Sequence, residues 1–281
     1  MELWSVNKVK LNCPAKLNLN LSIVSKKING MHEINTQFQL IDLFDEMTIE
    51  KTSSKYISVQ TNVGSSIDGK KNIVYKAVKE LSNYIGEEIH CDISIKKNIP
   101  LGGGLGGGSS NAAAALIGIN FLFDLGLSSG VLRKIGKKLG ADVPFFIFGK
   151  NAHASGEGEV LIENQNLSKK RYLLLFPEIH SSTEKLFSQW DELDKGSQER
   201  ILEIEENSFL PLFLQNHQDI KKIFSELTKL SPLRLSGTGS TMFYAYEDRC
   251  EIEKTLKKIP SKWRHSFCEP LQCSPLLTYI K

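Results

Sequence analysis

Pro100-Leu101-Gly102-Gly103-Gly104-Leu105-Gly106-Gly107-Gly108-Ser109-Ser110 places six glycines in the seven positions from 102 to 108. A flexible linker of this composition is normally bordered by polar, unpatterned sequence. Here Cys91-Asp92-Ile93-Ser94-Ile95 upstream alternates like a strand. Downstream, Ser109 to Leu125 is alanine-rich and apolar and opens on Ser109, Ser110 and Asn111, all good N-cap residues. The reading is strand, glycine loop, buried helix. Glycine admits positive φ and lets the backbone approach an oligoanion with no Cβ in the way. A helix start adds unpaired N–H groups and the positive end of a dipole. These are the requirements of a phosphate cradle, with a structural turn as the alternative.

Gly102, Gly104 and Gly107 also satisfy G-x-G-x-x-G. The dinucleotide fingerprint, however, wants an acidic residue about 20 positions on, at the end of the next strand, and Asp124 falls inside the following helix. A P-loop would need Lys-Ser/Thr where Ser109-Ser110 stand, and no H-R-D or D-F-G set marks a protein kinase. A third class of nucleotide loop remains.

Outward from the loop, Leu17, Leu19, Leu21 and Ile23 alternate with Lys16, Asn18, Asn20 and Ser22, which predicts a strand over Val9 to Val24 with one core face and one polar face. Phe38 to Ile49 predicts a second strand. Asn72 to Tyr84 and Val131 to Leu139 have helical spacing, the latter stopped at Gly140. Arg171 to Phe176 reads as a strand and Thr183 to Leu230 as helical. Leu233 to Tyr246 reads as a strand-turn-strand around Ser236-Gly237-Thr238-Gly239-Ser240, followed by a helix over Glu251 to Lys258 and a last strand near Phe267. The polar stretch Asn164 to Lys170 predicts a boundary between two α+β halves, 1–165 and 166–281.

A chain of 281 residues can bury a substantial core over about two domains, and its formal charge of +3 sets up no field suited to nucleic acid or an anionic membrane. Five scattered cysteines (Cys13, Cys91, Cys250, Cys268, Cys273) form no C-x-x-C pair, which predicts reduced thiols. Met1 to Ser5 resembles no secretory signal, and no apolar run is long enough to span a bilayer. The expectation is a cytoplasmic protein that binds neither nucleic acid nor a membrane.

These blocks together resemble the GHMP kinases, the superfamily of galactokinase, homoserine kinase and mevalonate kinase. Pro100 to Ala113 resembles their central motif. Pro14-Ala15-Lys16-Leu17-Asn18-Leu19, Gly30-Met31-His32-Glu33, Gln37-Phe38-Gln39-Leu40, Gly140-Ala141-Asp142-Val143-Pro144-Phe145-Phe146, Gly156-Glu157-Gly158-Glu159 and Ser236 to Ser240 follow in the same order. The resemblance implies a ribosomal-protein-S5-like N-terminal domain and a ferredoxin-like C-terminal domain, with ATP and Mg²⁺ as cofactors. The implied reaction phosphorylates the 2-hydroxyl of 4-diphosphocytidyl-2-C-methyl-D-erythritol, on the non-mevalonate route to isoprenoid precursors. A kinase for another small alcohol, or a non-catalytic nucleotide-binding protein on the same scaffold, are the alternatives.

By themselves Lys16 reads as a solvated strand lysine and Asp142 as an N-cap; the resemblance makes them the catalytic pair. It places ATP on Pro100, Leu101, Gly102, Gly103, Gly104, Leu105, Gly106, Gly107, Gly108, Ser109 and Ser110, with Ser109 or Ser110 facing Mg²⁺. Asn72 and Lys97, otherwise an N-cap and a surface lysine, fall near the adenine. Asn18, His32, Thr183, Phe187, Gly239 and Ser240 fall on the substrate, although Phe187 alone reads as core and Gly239-Ser240 as a hairpin turn. Met31 stands where the superfamily branch has a tyrosine that stacks on cytosine, and a thioether offers no flat π surface.

Overall fold

A computed structural model describes residues 7–64, 67–165 and 170–280. The predicted boundary at 165/166 meets the undescribed residues 166–169. The chain runs β1 (Lys8–Lys26), β2 (His32–Lys51), β3 (Ile57–Thr61), α1 (Ile73–Ile85), β4 (Cys91–Lys96), α2 (Gly107–Leu122), α3 (Ser129–Lys137), α4 (Val143–Phe148), β5 (Ala152–Ser155) and β6 (Val160–Glu163). After the undescribed gap come β7 (Arg171–Phe176), α5 (Thr183–Asp191), α6 (Lys195–Ile204), α7 (Leu210–Asn216), α8 (Gln218–Thr228), β8 (Arg234–Leu235), β9 (Met242–Tyr246), α9 (Glu253–Leu256) and β10 (Arg264–Cys268).

β1 and β2 form a long antiparallel pair, and β2 passes from β1 to β4 at one end and to β5 at the other, with β3 and β6 outside them. The second sheet has the order β10-β7-β9-β8. With α5–α8 between its first two strands and α9 before its last, it follows the split β-α-β arrangement of ferredoxin-like folds. The fold is thus α+β, as expected. β3, β5 and β6 escape a sequence reading because each has five residues or fewer, with too little length for a period to show.

β7 explains how the halves join. Its run Tyr172-Leu173-Leu174-Leu175-Phe176 is apolar throughout because both faces are covered. Leu173 and Leu175 pack with Leu186, Phe213 and Phe224 of the following helices, whereas Tyr172, Leu174 and Phe176 meet Ala15, Leu17, Ile41, Ile99 and Leu105. Leu105, from the glycine loop, is therefore an anchor in the seam between the sheets.

β1 departs from the expected half-solvated strand. Val9, Leu11 and Cys13 join the core under α1–α4, while Ala15 and Leu17 join the seam. A register shift lies between Pro14 and Ala15, and such a bulge redirects the side chains after it. Lys10 and Asn12, before the shift, are exposed, whereas the predicted polar face beyond it is buried at Lys16 and Asn18, exposed at Asn20 and half-buried at Ser22.

Local boundaries shift too. α2 begins at Gly107, capped by Gly106 at φ +70°, so the expected caps Ser109, Ser110 and Asn111 lie inside the helix, at its third to fifth positions. Its C-terminus comes at Leu122 and that of α3 at Lys137, each short of the expected end, and the helix expected over Glu251 to Lys258 divides into a 3-10 turn and α9. Lys97 is not a surface lysine: it is buried and pairs with Asp45 of β2 and, at 2.9 Å, with Asn111. Asp45 also accepts from the N–H groups of Asn98 (2.8 Å) and Ile99 (2.9 Å) and from the Asn111 amide at 3.0 Å. One buried carboxylate thus fastens the chain before the glycine loop to the helix after it.

Removing one partner of a buried pair leaves the other charge uncompensated. Asp45→Ala is therefore expected to lower unfolding free energy by about 3–5 kcal/mol in urea titrations. Lys96→Ala, which loses only the exposed contact to Glu46, should leave the midpoint almost unchanged.

Candidate active site

The glycine loop is held from two sides. Lys16 donates its backbone N–H to the Leu105 carbonyl at 3.0 Å, which fits β1 being an edge strand beyond its pairing with β2. From the second half, the Thr241 N–H donates to the Gly103 carbonyl (3.2 Å) and the Ser236 hydroxyl to the Gly104 carbonyl (3.2 Å). The approach is close enough to dictate composition. A Cβ on Gly104, at φ +73°, would lie 2.3 Å from the Ser236 carbonyl oxygen, and one on Gly106 would meet the Phe146 ring at 2.7 Å. The N–H groups of the first turn of α2 have no intrahelical acceptor, and the positive-φ residues 102, 104 and 106 before it give the turn-rich backbone of an anion nest.

Below the loop lies a cleft of about 880 Å³, within the usual range for a small-molecule site. Its wall includes Lys16, Asn18, His32, Gly102, Gly104, Gly106, Ser109, Asp142, Thr183, Phe187 and Gly239, brought together from separate stretches of the fold. Lys16 Nζ stands 3.4 Å from Asp142 Oδ2, with side-chain exposures of 5% and 31%. Lys16 also donates to Asn18 Oδ1 and lies 5.0 Å over the Phe38 ring. Asn18 is fixed in turn by its amide, which donates to Thr36 Oγ1 at 2.8 Å. Asp142 occupies the N-cap position of α4, yet its side chain makes no cap hydrogen bond. Pro144 carries no N–H for a cap to satisfy, and the carboxylate faces the lysine instead.

The far end of the cleft is aromatic. His32 stacks on Phe187 with centroids 4.5 Å apart and planes at 24°, and Phe209 meets Phe187 edge-on at 4.8 Å. Asp191 ends α5 beside them, 2.7 Å from His32 Nε2 and 2.6 Å from Lys26 Nζ. Burial opposes ionisation there, but the hydrogen bonds from Lys26 and His32 hold the Asp191 carboxyl below the usual carboxylate range. The carboxylate can only accept, so His32 donates its Nε2–H. Thr183 reaches Thr238 at 2.8 Å, joining α5 to the turn over 236–240.

The other expected residues lie elsewhere. Lys97, Pro100, Leu101, Gly103 and Ser240 line a second cavity of about 450 Å³ across the loop. Ser110 is fully buried, and its hydroxyl has no hydrogen-bond partner. Asn72 caps α1, accepting from the Val74 N–H and donating to the Ile67 carbonyl, both at 2.8 Å. Leu105, Gly107 and Gly108 line neither cavity. Asp45, Asp191 and His180 escape a sequence reading because each stands outside the stretches with a recognisable motif, and Thr238, although inside the block 236–240, gains its contact to Thr183 only through the tertiary fold.

The free thiols fit the expectation from spacing: all five cysteines are unpaired, and burial pushes Cys13 up to about 12. Among the described residues no His/Cys/Asp/Glu cluster could by itself hold a metal ion, and no helix is long and apolar enough to cross a membrane.

Gly104→Ala combines a strained φ with a backbone clash and should destabilise the fold by more than about 1 kcal/mol. Gly108→Ala has its nearest neighbour at 3.9 Å and lies within α2, so it should be neutral or stabilising by up to about 1 kcal/mol in the same denaturation experiment.

Residues 72–150 match the family model for the GHMP kinases N terminal domain. A 4-diphosphocytidyl-2-C-methyl-D-erythritol kinase of Haemophilus ducreyi is 35% identical over 276 residues, which cover 96% of this chain and 97% of that protein. One from Acinetobacter baumannii is 38% identical over 261 residues, covering 90% and 93%. A crystal structure of 4-(cytidine 5'-diphospho)-2C-methyl-D-erythritol kinase superposes with TM-score 0.73 at 27% identity, covering 93% of this chain and 99% of that one. Homoserine kinase from Cytophaga hutchinsonii reaches 0.74 at 14% identity, covering 95% and 96%, a likeness of fold alone. Identity above 30% along nearly the full length of the two bacterial relatives places the chain in the 4-diphosphocytidyl-2-C-methyl-D-erythritol kinase family of the GHMP kinases.

Proposed function

We propose that the protein transfers the γ-phosphate of ATP to the 2-hydroxyl of 4-diphosphocytidyl-2-C-methyl-D-erythritol, in the formation of isoprenoid precursors. The observation that carries this reading is the Lys16–Asp142 pair, 3.4 Å apart on the wall of a cleft roofed by the glycine loop. An acceptor hydroxyl must lose its proton as it attacks phosphorus. Asp142, left unengaged by α4, orients the hydroxyl and accepts that proton, and Lys16, 3.4 Å away, holds the carboxylate in position and offsets charge growing on the transferred group. Phosphoryl transfer is loose, so alignment of donor and acceptor contributes as much as the base.

The residues fit Mg²⁺, which takes oxygen ligands and is held largely by phosphate oxygens and water. Ser109 is the loop serine on the cleft wall and would face it; the ion would neutralise the β- and γ-phosphates. Ser110, buried within α2, is not placed for that part. Asn18 holds Lys16 in place, and the stacked His32 and Phe187 offer an aromatic end to the cytosine. Lys97, committed to Asp45, acts on the nucleotide through the loop's position. The free thiols and the small-molecule cleft accord with a cytoplasmic enzyme, and the modest net charge with one that needs neither nucleic acid nor a membrane.

One departure bears on how cytosine is gripped. Met31, 47% exposed, lines the cleft where the resemblance implies a stacking ring, and its thioether offers edge contact in place of a flat π surface. Assayed with ATP against a panel of alcohols, the protein is expected to phosphorylate the cytidylated methylerythritol. Turnover only of alcohols lacking cytidine would overturn the acceptor, and turnover of none would support a non-catalytic nucleotide binder. Asp142→Asn is expected to lower kcat by roughly 10²–10⁴-fold while ATP binding by calorimetry is retained; unchanged turnover would remove Asp142 from the chemistry.

A further inference from the structure

The glycine loop stands between two cavities. Gly102, Gly104 and Gly106 face the cleft that holds Lys16 and Asp142, whereas Pro100, Leu101 and Gly103 face the second cavity. Among the described residues, His180 alone belongs to both walls. It lies between β7 and α5, outside every motif of the sequence.

Its surroundings leave the imidazole available. The residue is exposed, and among the described residues neither ring nitrogen has a hydrogen bond or ion pair. The ring rests against the loop: a Cβ on Gly102, whose φ is +66°, would come within 3.1 Å of His180 Nδ1. The next two residues of the chain are tied down. Ser181 donates to the Thr238 carbonyl at 2.6 Å and Ser182 caps α5, so the backbone that carries His180 is fixed beside the loop. The two cations on the second wall are already engaged, Lys97 by Asp45 and Arg264 by Glu178 at 2.7 Å.

We propose that His180 is a nucleotide-binding residue, whose imidazole donates to the triphosphate where it crosses Gly102 from the second cavity towards Lys16 and Asp142. An N–H aimed at an anionic oxygen is a strong donor, and with the nearby cations engaged this ring is the free one at the crossing. The inference rests on the proposal that the loop binds ATP, with the adenine on the Lys97 side, and adds to that site one residue, His180, where the two cavities meet.

The test uses the full chain with His180→Ala and His180→Gln, measuring KM for ATP, KM for the acceptor, calorimetric ATP affinity without acceptor, and thermal midpoint. His180→Ala is expected to raise both the ATP KM and the ATP Kd about 10-fold, in keeping with loss of a hydrogen bond to a charged group. Its acceptor KM and melting midpoint should stay at wild-type values. His180→Gln, which keeps an N–H donor, should recover part of the loss. An unchanged ATP KM and Kd in His180→Ala, or a rise confined to the acceptor KM, would overturn the inference while leaving the kinase reading intact. A wild-type protein that binds no ATP would overturn both.

Discussion

The hydrogen bond from the Lys16 backbone N–H to the Leu105 carbonyl is the contact around which the site is built. It ties the edge of β1 to the middle of the glycine loop, and Leu105 is itself buried in the seam between the sheets. The strand that carries the lysine, the loop proposed to carry phosphate and the packing of the second sheet are therefore one assembly. Glycine at 104 and 106 is what allows it, since a side chain at either position would collide with the Ser236 carbonyl or with Phe146. The composition of the loop serves close packing against protein as much as approach by a ligand.

A second constraint acts from below. Asp45 gathers the Lys97 ammonium, the N–H groups of Asn98 and Ile99 and the Asn111 amide onto one buried carboxylate. The residues before the loop and the start of the helix after it are thus held by the same group of β2. Fully satisfied, such a polar cluster fixes geometry, and its burial makes it costly to disturb. Loop position is then set by β1 and the 236–241 turn on one side and by β2 on the other, so the loop ends cannot shift independently.

Range along the chain decides how much of this is legible in sequence. The strand around Leu17 to Ile23, with its alternation kept from Asn20 to Ile23, the cap at Asn72 and the strand-loop-helix order around residue 100 are local, and the structure has them. The burial of Lys16 and Lys97 is not legible from their own surroundings. A bulge at Pro14/Ala15 and a partner 52 residues away decide it, and neither leaves a periodic trace. Asp142 shows the same limit from the other direction: its local pattern reads correctly as the N-cap position, but whether its carboxylate caps or faces Lys16 depends on tertiary placement. Asp191 and His180 belong to no motif and become visible only when α5 and the loop before it are folded over the cleft.

In the proposed reaction the glycine loop and the Lys16–Asp142 pair serve a single phosphoryl transfer. A crystal structure with a non-hydrolysable ATP analogue, Mg²⁺ and 4-diphosphocytidyl-2-C-methyl-D-erythritol tests it most directly. The expected result is the γ-phosphate under Gly104 to Ser109 and the acceptor 2-hydroxyl within hydrogen-bond distance of Asp142. A triphosphate seated away from the loop, or an acceptor hydroxyl out of reach of Asp142 with the γ-phosphate in place, would contradict it.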